Sequence, residues 1–396
     1  MQNKVQFHNT AVVSFRPRPG RPRRRPKKFL LRLCALAILL GGGAILWKSA
    51  PWLGRVLTKA AMTSAGIQLL DNSISGSVSP QNTPGEILPL DPQSSSPEEN
   101  TAQTPSQGES EGVPSEETSS LLTKEEAAAQ GLLPVKETQL ATTGNARSAD
   151  GLVTMNNKSK VHTINVEEQL AKTPDVHITD TKEPQVLIYH THTTESYMAG
   201  YNGYYPKDMA TRSLDGDKGV VRVGAILAEK LNAAGINTIH DTTINDSPAY
   251  NGAYGRSLSK AEAYLAQHPS IQVILDVHRD SLTQEDGTKL KPTVTVNGKK
   301  AAQIMIVSGC DDTGTLGYPE WRENLVFGLQ LQKRLATVAP NLARPLYFWS
   351  IRYNQHLTHG TLLVEFGTEV NTYDEVAYSA ELFAQALVQT LQDYKA

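Results

Sequence analysis

The later half of this 396-residue chain predicts an α/β fold, a mostly parallel sheet with helices on both faces, and three observations carry that prediction. From about residue 186 onward, short runs rich in Val and Ile alternate with stretches of helical period, the pattern of strands joined by crossover helices. Polar clusters directly follow several of the apolar runs: HTHTTES at 190–196, HDTTIND at 240–246, DVHRD at 276–280 and VEFGTE at 364–369. In a parallel sheet the carboxyl ends of the strands share one edge, so these clusters converge. The first 160 residues differ in composition from the rest, which confines the globular fold to residues 161–396.

At the start of the chain, residues 1–28 are dense in Arg, Lys and Pro, most of all in RPRPGRPRRRPKK at 16–28. That much proline prevents a helix and leaves a flexible basic tail. FLLRLCALAILLGGGAILW at 29–47 follows, close to the roughly 20 residues that cross a bilayer. A cleaved signal peptide begins the same way, but Lys48 spoils the small-residue pattern of a cleavage site, so the segment reads as an uncleaved transmembrane anchor. Positive charge ahead of a span holds its own side in the cytoplasm and sends the remainder outside. The tail is therefore a topology signal beside the membrane rather than a nucleic-acid module. In residues 48–70, Leu53, Val56, Leu57, Ala60 and Ala61 lie at helical spacing, as in a short amphipathic juxtamembrane helix. Residues 71–160 are rich in Ser, Thr, Pro, Gln, Gly and Glu, too polar to offset their ordering entropy, and read as a disordered linker.

The globular part opens with short strand-like runs, VHTINV and DVHITD, before a first strong strand at Val186–Tyr189. The stripe Val220, Val223, Ile226, Leu227, Leu231 predicts a helix over 220–234 that Gly235 stops. Asn237–His240 is the next strand. Ser257–Gln267 reads as a helix capped by its serine and closed before Pro269. Val273–Asp276 is a buried strand. Thr293–Val307 reads as two strands around the Asn297-Gly298 turn. A helix over 320–338, strands at 346–350 and 361–366, and a closing helix over 373–394 complete the fold.

The net charge of −2 averages a basic start with an acidic middle. The two cysteines, Cys34 and Cys310, lie in unlike segments and make neither a disulfide framework nor a Cys-rich zinc centre, so His and carboxylates are the expected ligands. His192 and Glu195 are three apart just after a strand, where a turn aims both at one point and offers two positions of a tetrahedral zinc site. His278 is the natural third ligand. Asp276, two residues earlier in the same strand, shares its face and is placed to orient an imidazole. His240 competes with Glu195 for the remaining position. Glu365, a carboxylate inside the apolar strand TLLVEF, is either a salt-bridged core residue or the general base of a metal-activated water. His190 reads as a supporting residue. Arg279 and Asp280 bind a substrate carboxylate or pair with each other, and His356 and His359, in NQHLTHG, read as loop residues, with substrate contact the alternative. His162, His177 and His268 read as surface or scaffold.

The runs VLIYHTHTTESY, GINTIHDTTIND with AYNGAYGRS, ILDVHRDS and TLLVEFGTEVNT, in that order, resemble the stage II sporulation protein P family, membrane-anchored peptidoglycan hydrolases of endospore-forming bacteria. The resemblance covers roughly Pro184 to the end. It implies the fold of the zinc N-acetylmuramoyl-L-alanine amidases, cleavage of the N-acetylmuramoyl-L-alanine amide and of peptide cross-links, and action at the cell surface during forespore engulfment. It also implies partnership with stage II sporulation proteins D and M. By the same resemblance His192, His278 and Glu365 match two of the amidase ligands and the catalytic glutamate. The remaining amidase ligand is a glutamate at the start of the first helix, and here that helix begins DKGVVRV without one. Two other classes stay open: a catalytically inactive peptidoglycan-binding scaffold, and a zinc carboxypeptidase with Arg279 or Arg256 as its carboxylate clamp.

Overall fold

The computed structural model describes residues 6–7 and 121–395. The expected span at 29–47, the juxtamembrane helix at 48–70 and the linker up to residue 120 lie outside these, as does the basic tail apart from Gln6 and Phe7. Among the described residues no helix is long and apolar enough to cross a membrane.

The elements in chain order are β1 (Gln6–Phe7), α1 (Lys124–Ala129), β2 (Leu132–Thr138), β3 (Ala146–Arg147), β4 (Thr154–Asn157), α2 (Val166–Leu170), β5 (Val186–Tyr189), β6 (Tyr204–Pro206), α3 (Val220–Ala233), β7 (Thr238–His240), α4 (Ala253–Gln267), β8 (Val273–Asp280), β9 (Leu282–Thr283), β10 (Lys289–Val296), β11 (Lys299–Ala302), β12 (Ile304–Cys310), α5 (Trp321–Val338), β13 (Leu346–Ser350), β14 (Gly360–Thr368) and α6 (Tyr373–Gln392). The main sheet has eight strands in the order β3-β4-β13-β12-β14-β8-β5-β7. Its ladders are parallel except β12 with β14 and β3 with β4.

The two faces are covered unequally. Ile188, Leu275, Val277, Ile306, Phe348, Val364 and Phe366 join the main core with Leu227, Leu329, Phe383 and Leu387, so α3, α5 and α6 form one helical layer. On the opposite face Leu187, Tyr189 and Ile274 pack against α4. Farther along that face, among the described residues, Met305, Val307 and Leu363 are roofed by Tyr347, Trp349 and Tyr353 and not by a helix. The expectation of helices on both faces thus holds only where α4 lies.

The winding explains where a site forms. From β5 the chain crosses through α3, on one face, to β7 at the sheet edge. It returns through α4, on the other face, to β8 on the far side of β5. Strands whose connections leave on opposite faces open a crevice beyond their carboxyl ends, here β5 and β7, and β8 brings its own carboxyl end to the other side of β5.

Three expectations are corrected. Residues 121–160, expected within the linker, carry α1, β2, β3 and β4, and β4 extends the main sheet by pairing with β13. Their few apolar side chains suffice because each strand pairs with a larger neighbour: Val135 packs with Tyr205 and Val370, and Val153 and Met155 enter the main core. The Asn297-Gly298 turn does close a hairpin, but between β10 and β11; Gln303 then leads into β12, which lies in the main sheet instead. β10 belongs to a second sheet, β1-β9-β10-β2-β6, that the strand pattern did not foretell. Finally, α4 starts at Ala253 behind Gly252 (φ 84°), and Ser257, expected as its cap, is buried with its hydroxyl bonded to Thr191 and Tyr254.

Candidate active site

His192 leaves β5 in a turn in which the Glu195 amide donates to the His192 carbonyl at 3.1 Å. That turn rests on the start of α3: the Glu195 carbonyl accepts from the Val220 amide at 3.0 Å. A Cβ on Gly219 would lie 2.2 Å from the same carbonyl oxygen, so only glycine fits there. The Glu195 carboxylate therefore projects from a turn seated on the N-terminus of the first long helix.

From this turn the side chains reach β8. Glu195 Oε2 lies 3.4 Å from His278 Nδ1 and accepts from the Arg279 amide at 3.2 Å. The His192 and His278 rings meet edge to face with centroids 5.3 Å apart. Asp276 accepts from the Thr191 amide and hydroxyl at 2.8 and 2.7 Å. Its Oδ1 also lies 2.8 Å from His278 Nε2, a buried ion pair. Glu365 on β14 is registered beside His278, on the same face of the sheet, just before a bulge between Glu365 and Thr368. All five side chains are buried.

Burial makes their charges interdependent. Desolvation pushes the Glu365 carboxyl up to about 8, with Asp280 and Glu195 adding to the shift and His278 opposing it. Desolvation also works against a charged His278, but Asp276 and Glu195 overcome it and hold the imidazole well above the ordinary histidine range. His192 is driven down to about 3 by burial, with His278 and Arg212 adding to the effect against Glu195, and is a neutral imidazole at ordinary pH. For Glu195 burial acts upward, and the hydrogen bond from His278 and the charge of Arg279 hold it well below the usual carboxylate range.

The donor set of two imidazoles and a carboxylate suits a zinc-type ion. Buried His192 Nδ1 and Glu365 Oε2 are without hydrogen-bond partners, a cost that a bound ion and its water would remove. His192, Glu195 and His278 stand farther apart than a closed coordination shell requires. Among the described residues the one trio of such donors lying within 4.8 Å of one another is His162, Cys310 and Asp312, elsewhere in the fold.

The remaining candidates lie as follows. His190 and His240 are on the opposite face: His190 Nδ1 donates to the Val277 carbonyl at 2.9 Å, and its Nε2 lies 2.9 Å from His240 Nε2 beneath α3. His240 is thus remote from the His192–His278 pair, and Glu195 is the carboxylate that meets it. Arg279 is no free clamp. Its guanidinium donates to the carbonyls of Ser196, Thr211 and Asp280 and lies 3.6 Å from Glu369. Asp280 pairs with Arg344 at 2.8 Å. Arg256 donates to the carbonyls of Asn245, Asn251 and Ala249. His359 is bound to Asp175 and Glu320 on the surface, and His356 is half-buried after β13.

Sequence reasoning missed Tyr250 and Arg212. Tyr250 stacks on His192 (4.5 Å, 7°) and its hydroxyl lies 3.1 Å from Nε2. Arg212 sits over the Tyr250 ring at 4.8 Å, pairs with buried Asp246 and lies 3.7 Å from Glu195 Oε1. The AYNGAYGRS run holds Tyr250, but nothing in its spacing tied it to His192. Arg212 left no signal.

Fold and site together define an α/β domain with a buried imidazole–carboxylate centre at the carboxyl ends of β5, β8 and β14 of its main sheet. The chain belongs to the stage II sporulation protein P family, whose sequence model matches residues 69–388. Stage II sporulation protein P of Bacillus subtilis (strain 168) is 30% identical over 219 residues, 52% of this chain and 51% of that protein, so the chain spans about half the length of this curated relative. Among solved structures, the N-acetylmuramoyl-L-alanine amidase AmiC2 of Nostoc punctiforme is 11% identical over 53% of this chain and 96% of that one, with a TM-score of 0.30. The CwlD amidase of Clostridioides difficile, solved in complex with the GerS lipoprotein, is 14% identical over 53% and 98%, with a TM-score of 0.31. At TM-scores this low neither likeness bears on what the chain does.

Proposed function

We propose that the chain is a peptidoglycan hydrolase of sporulation that cleaves the N-acetylmuramoyl-L-alanine amide and peptide cross-links. The observation that carries this reading is Glu365, a buried carboxylate with one oxygen unpartnered, side by side with His278 and raised toward neutrality. A general base works best with a pKa near the operating pH. Glu365 takes the proton of the attacking water and returns it to the leaving nitrogen as the C–N bond breaks. Zinc held by His192, Glu195 and His278 would supply Lewis-acid polarisation of the scissile carbonyl and a lowered pKa for water. Asp276 and Thr191 fix the position of His278, and Tyr250 with Arg212 fixes the outer side of His192. Trp349 and Tyr353, half-buried with ring centroids 6.1 Å apart, offer flat apolar surface on which a sugar ring or peptide stem can lie.

Both charged groups proposed as a carboxypeptidase clamp are committed to backbone carbonyls, which disfavours that alternative. We further propose that residues 29–47 form a single-pass anchor that holds the catalytic domain outside the membrane, with stage II sporulation proteins D and M as partners. Incubating the full chain with purified peptidoglycan, with chelator and then with added zinc, tests the reading. New L-alanine amino groups are expected, suppressed by chelation and restored by zinc. Products indifferent to chelation would remove the metal from the scheme, and no products at all would favour a binding scaffold.

A further inference from the structure

We infer that Cys310, His162 and Asp312 form a second binding site, for one zinc-class transition-metal ion, separate from the centre around His278. Cys310 ends β12, and Asp312 follows two residues later. His162 comes from the segment between β4 and α2 that lies across that strand end. The three donors converge on one oxygen: Asp312 Oδ1 is 3.4 Å from Cys310 Sγ and 3.8 Å from His162 Nε2. With metal–sulfur bonds of about 2.3 Å and metal–nitrogen or –oxygen bonds of about 2.0 Å, tetrahedral donors stand about 3.3–3.5 Å apart. The sulfur–oxygen separation thus matches a closed site, the nitrogen–oxygen one exceeds it by about 0.5 Å, and all three donor atoms lie within 4.8 Å of one another.

The donors are also held. The His162 ring lies on Trp321 with centroids 4.6 Å apart, and its amide donates to Ser159 Oγ at 2.9 Å. Asp312 is fixed by the Ser159 hydroxyl at 2.6 Å and the Lys160 amide at 3.0 Å. Cys310 is buried and free of any disulfide. A cavity of about 310 Å³ lined by Asn145, Asn157, Ser159, Lys160 and Thr163 reaches His162 from the side away from β12, none of whose residues lines it. Binding replaces the thiol proton, which leaves to solvent, by the metal.

Cobalt(II) titration of the full chain tests this, because a thiolate–cobalt charge-transfer band reports only a site containing cysteine. The centre around His278 has none. The band is expected in the wild type, bleached by excess zinc, unchanged in Cys34→Ser and His192→Ala, and absent in Cys310→Ser together with one equivalent of bound cobalt. His162→Gln is expected to raise the cobalt concentration at half-saturation at least about tenfold, which keeps the test open if Cys310→Ser does not fold. No band in the wild type, or a band lost with Cys34, would overturn the site and leave the trio as a hydrogen-bonded strap across the end of β12. Loss of hydrolysis in His192→Ala with the band intact separates this inference from the proposed function.

Discussion

At the scale of single residues, burial decides what each ionisable side chain does. Glu365 is raised to about 8 where an unfolded glutamate titrates near its ordinary 4.5. Below about 4.5 both states hold the proton, and as pH rises toward about 8 only the unfolded chain has released it, so folding is progressively penalised. Glu365→Gln removes the penalty, and the metal-free variant is expected to gain stability over the wild type as pH rises through that window, read by urea unfolding. His356 behaves oppositely. Burial, aided by Arg352, lowers it to about 4 from the ordinary 6.5, so the unfolded chain takes up a proton first and stability falls as pH drops from 6.5 toward 4. His356→Gln should flatten that part of the stability curve. An unchanged slope would mean that the imidazole is more solvated than its position implies. Residue positions were legible in the sequence where period and strand ends dictated them, as for His192, His278 and Glu365, which the fold brings together. They were not legible where a guanidinium is consumed by backbone carbonyls, as with Arg279 and Arg256, because loop closure leaves no periodic trace.

Among the elements, α3 shows how tightly the sheet and its helices are matched. A Cβ on Gly224 would lie 2.5 Å from His240 Nε2 and 2.7 Å from His190 Nε2. Ala is the better helix former by about 1 kcal/mol, but overpacking against two hydrogen-bonded imidazoles costs roughly 1–3 kcal/mol. Gly224→Ala is therefore expected to destabilise on balance, seen as a lowered denaturation midpoint, while the hydrolytic rate per folded molecule is kept. A stabilised variant would show that the imidazole pair can move aside. Val186–Tyr189, the α3 stripe and the closing helix could be read directly from hydrophobic period. The strands of residues 121–160 could not: LLPVKET and TMNN are polar and short, and become strands only because β10, β6 and β13 supply edges to pair with.

For the whole molecule, that same pairing moves the domain boundary. A piece beginning at residue 121 retains β2, β3 and β4, whereas one beginning at 161 bares the edges of β10 and β13 that those strands cover. The longer piece is expected to be monomeric with a cooperative melt, and the shorter one to aggregate or melt at lower temperature; equal melting would return residues 121–160 to the linker. The basic tail poses a topological choice. Gln6–Phe7 pairs with Leu282–Thr283, and a span at 29–47 with the tail in the cytoplasm excludes that pairing. Protease added from the outer side of intact cells decides it, since the proposed topology keeps the tail protected and the pairing leaves it outside with the domain.

The buried carboxylate on β14 is the group proposed to do the chemistry, and the most direct measurement is the release of L-alanine amino groups from peptidoglycan by the wild type and by Glu365→Gln, with cobalt or zinc binding followed in both. The variant is expected to fold and bind metal as before while its rate falls roughly 10²–10⁴-fold. A variant that still hydrolyses at the wild-type rate would contradict that role.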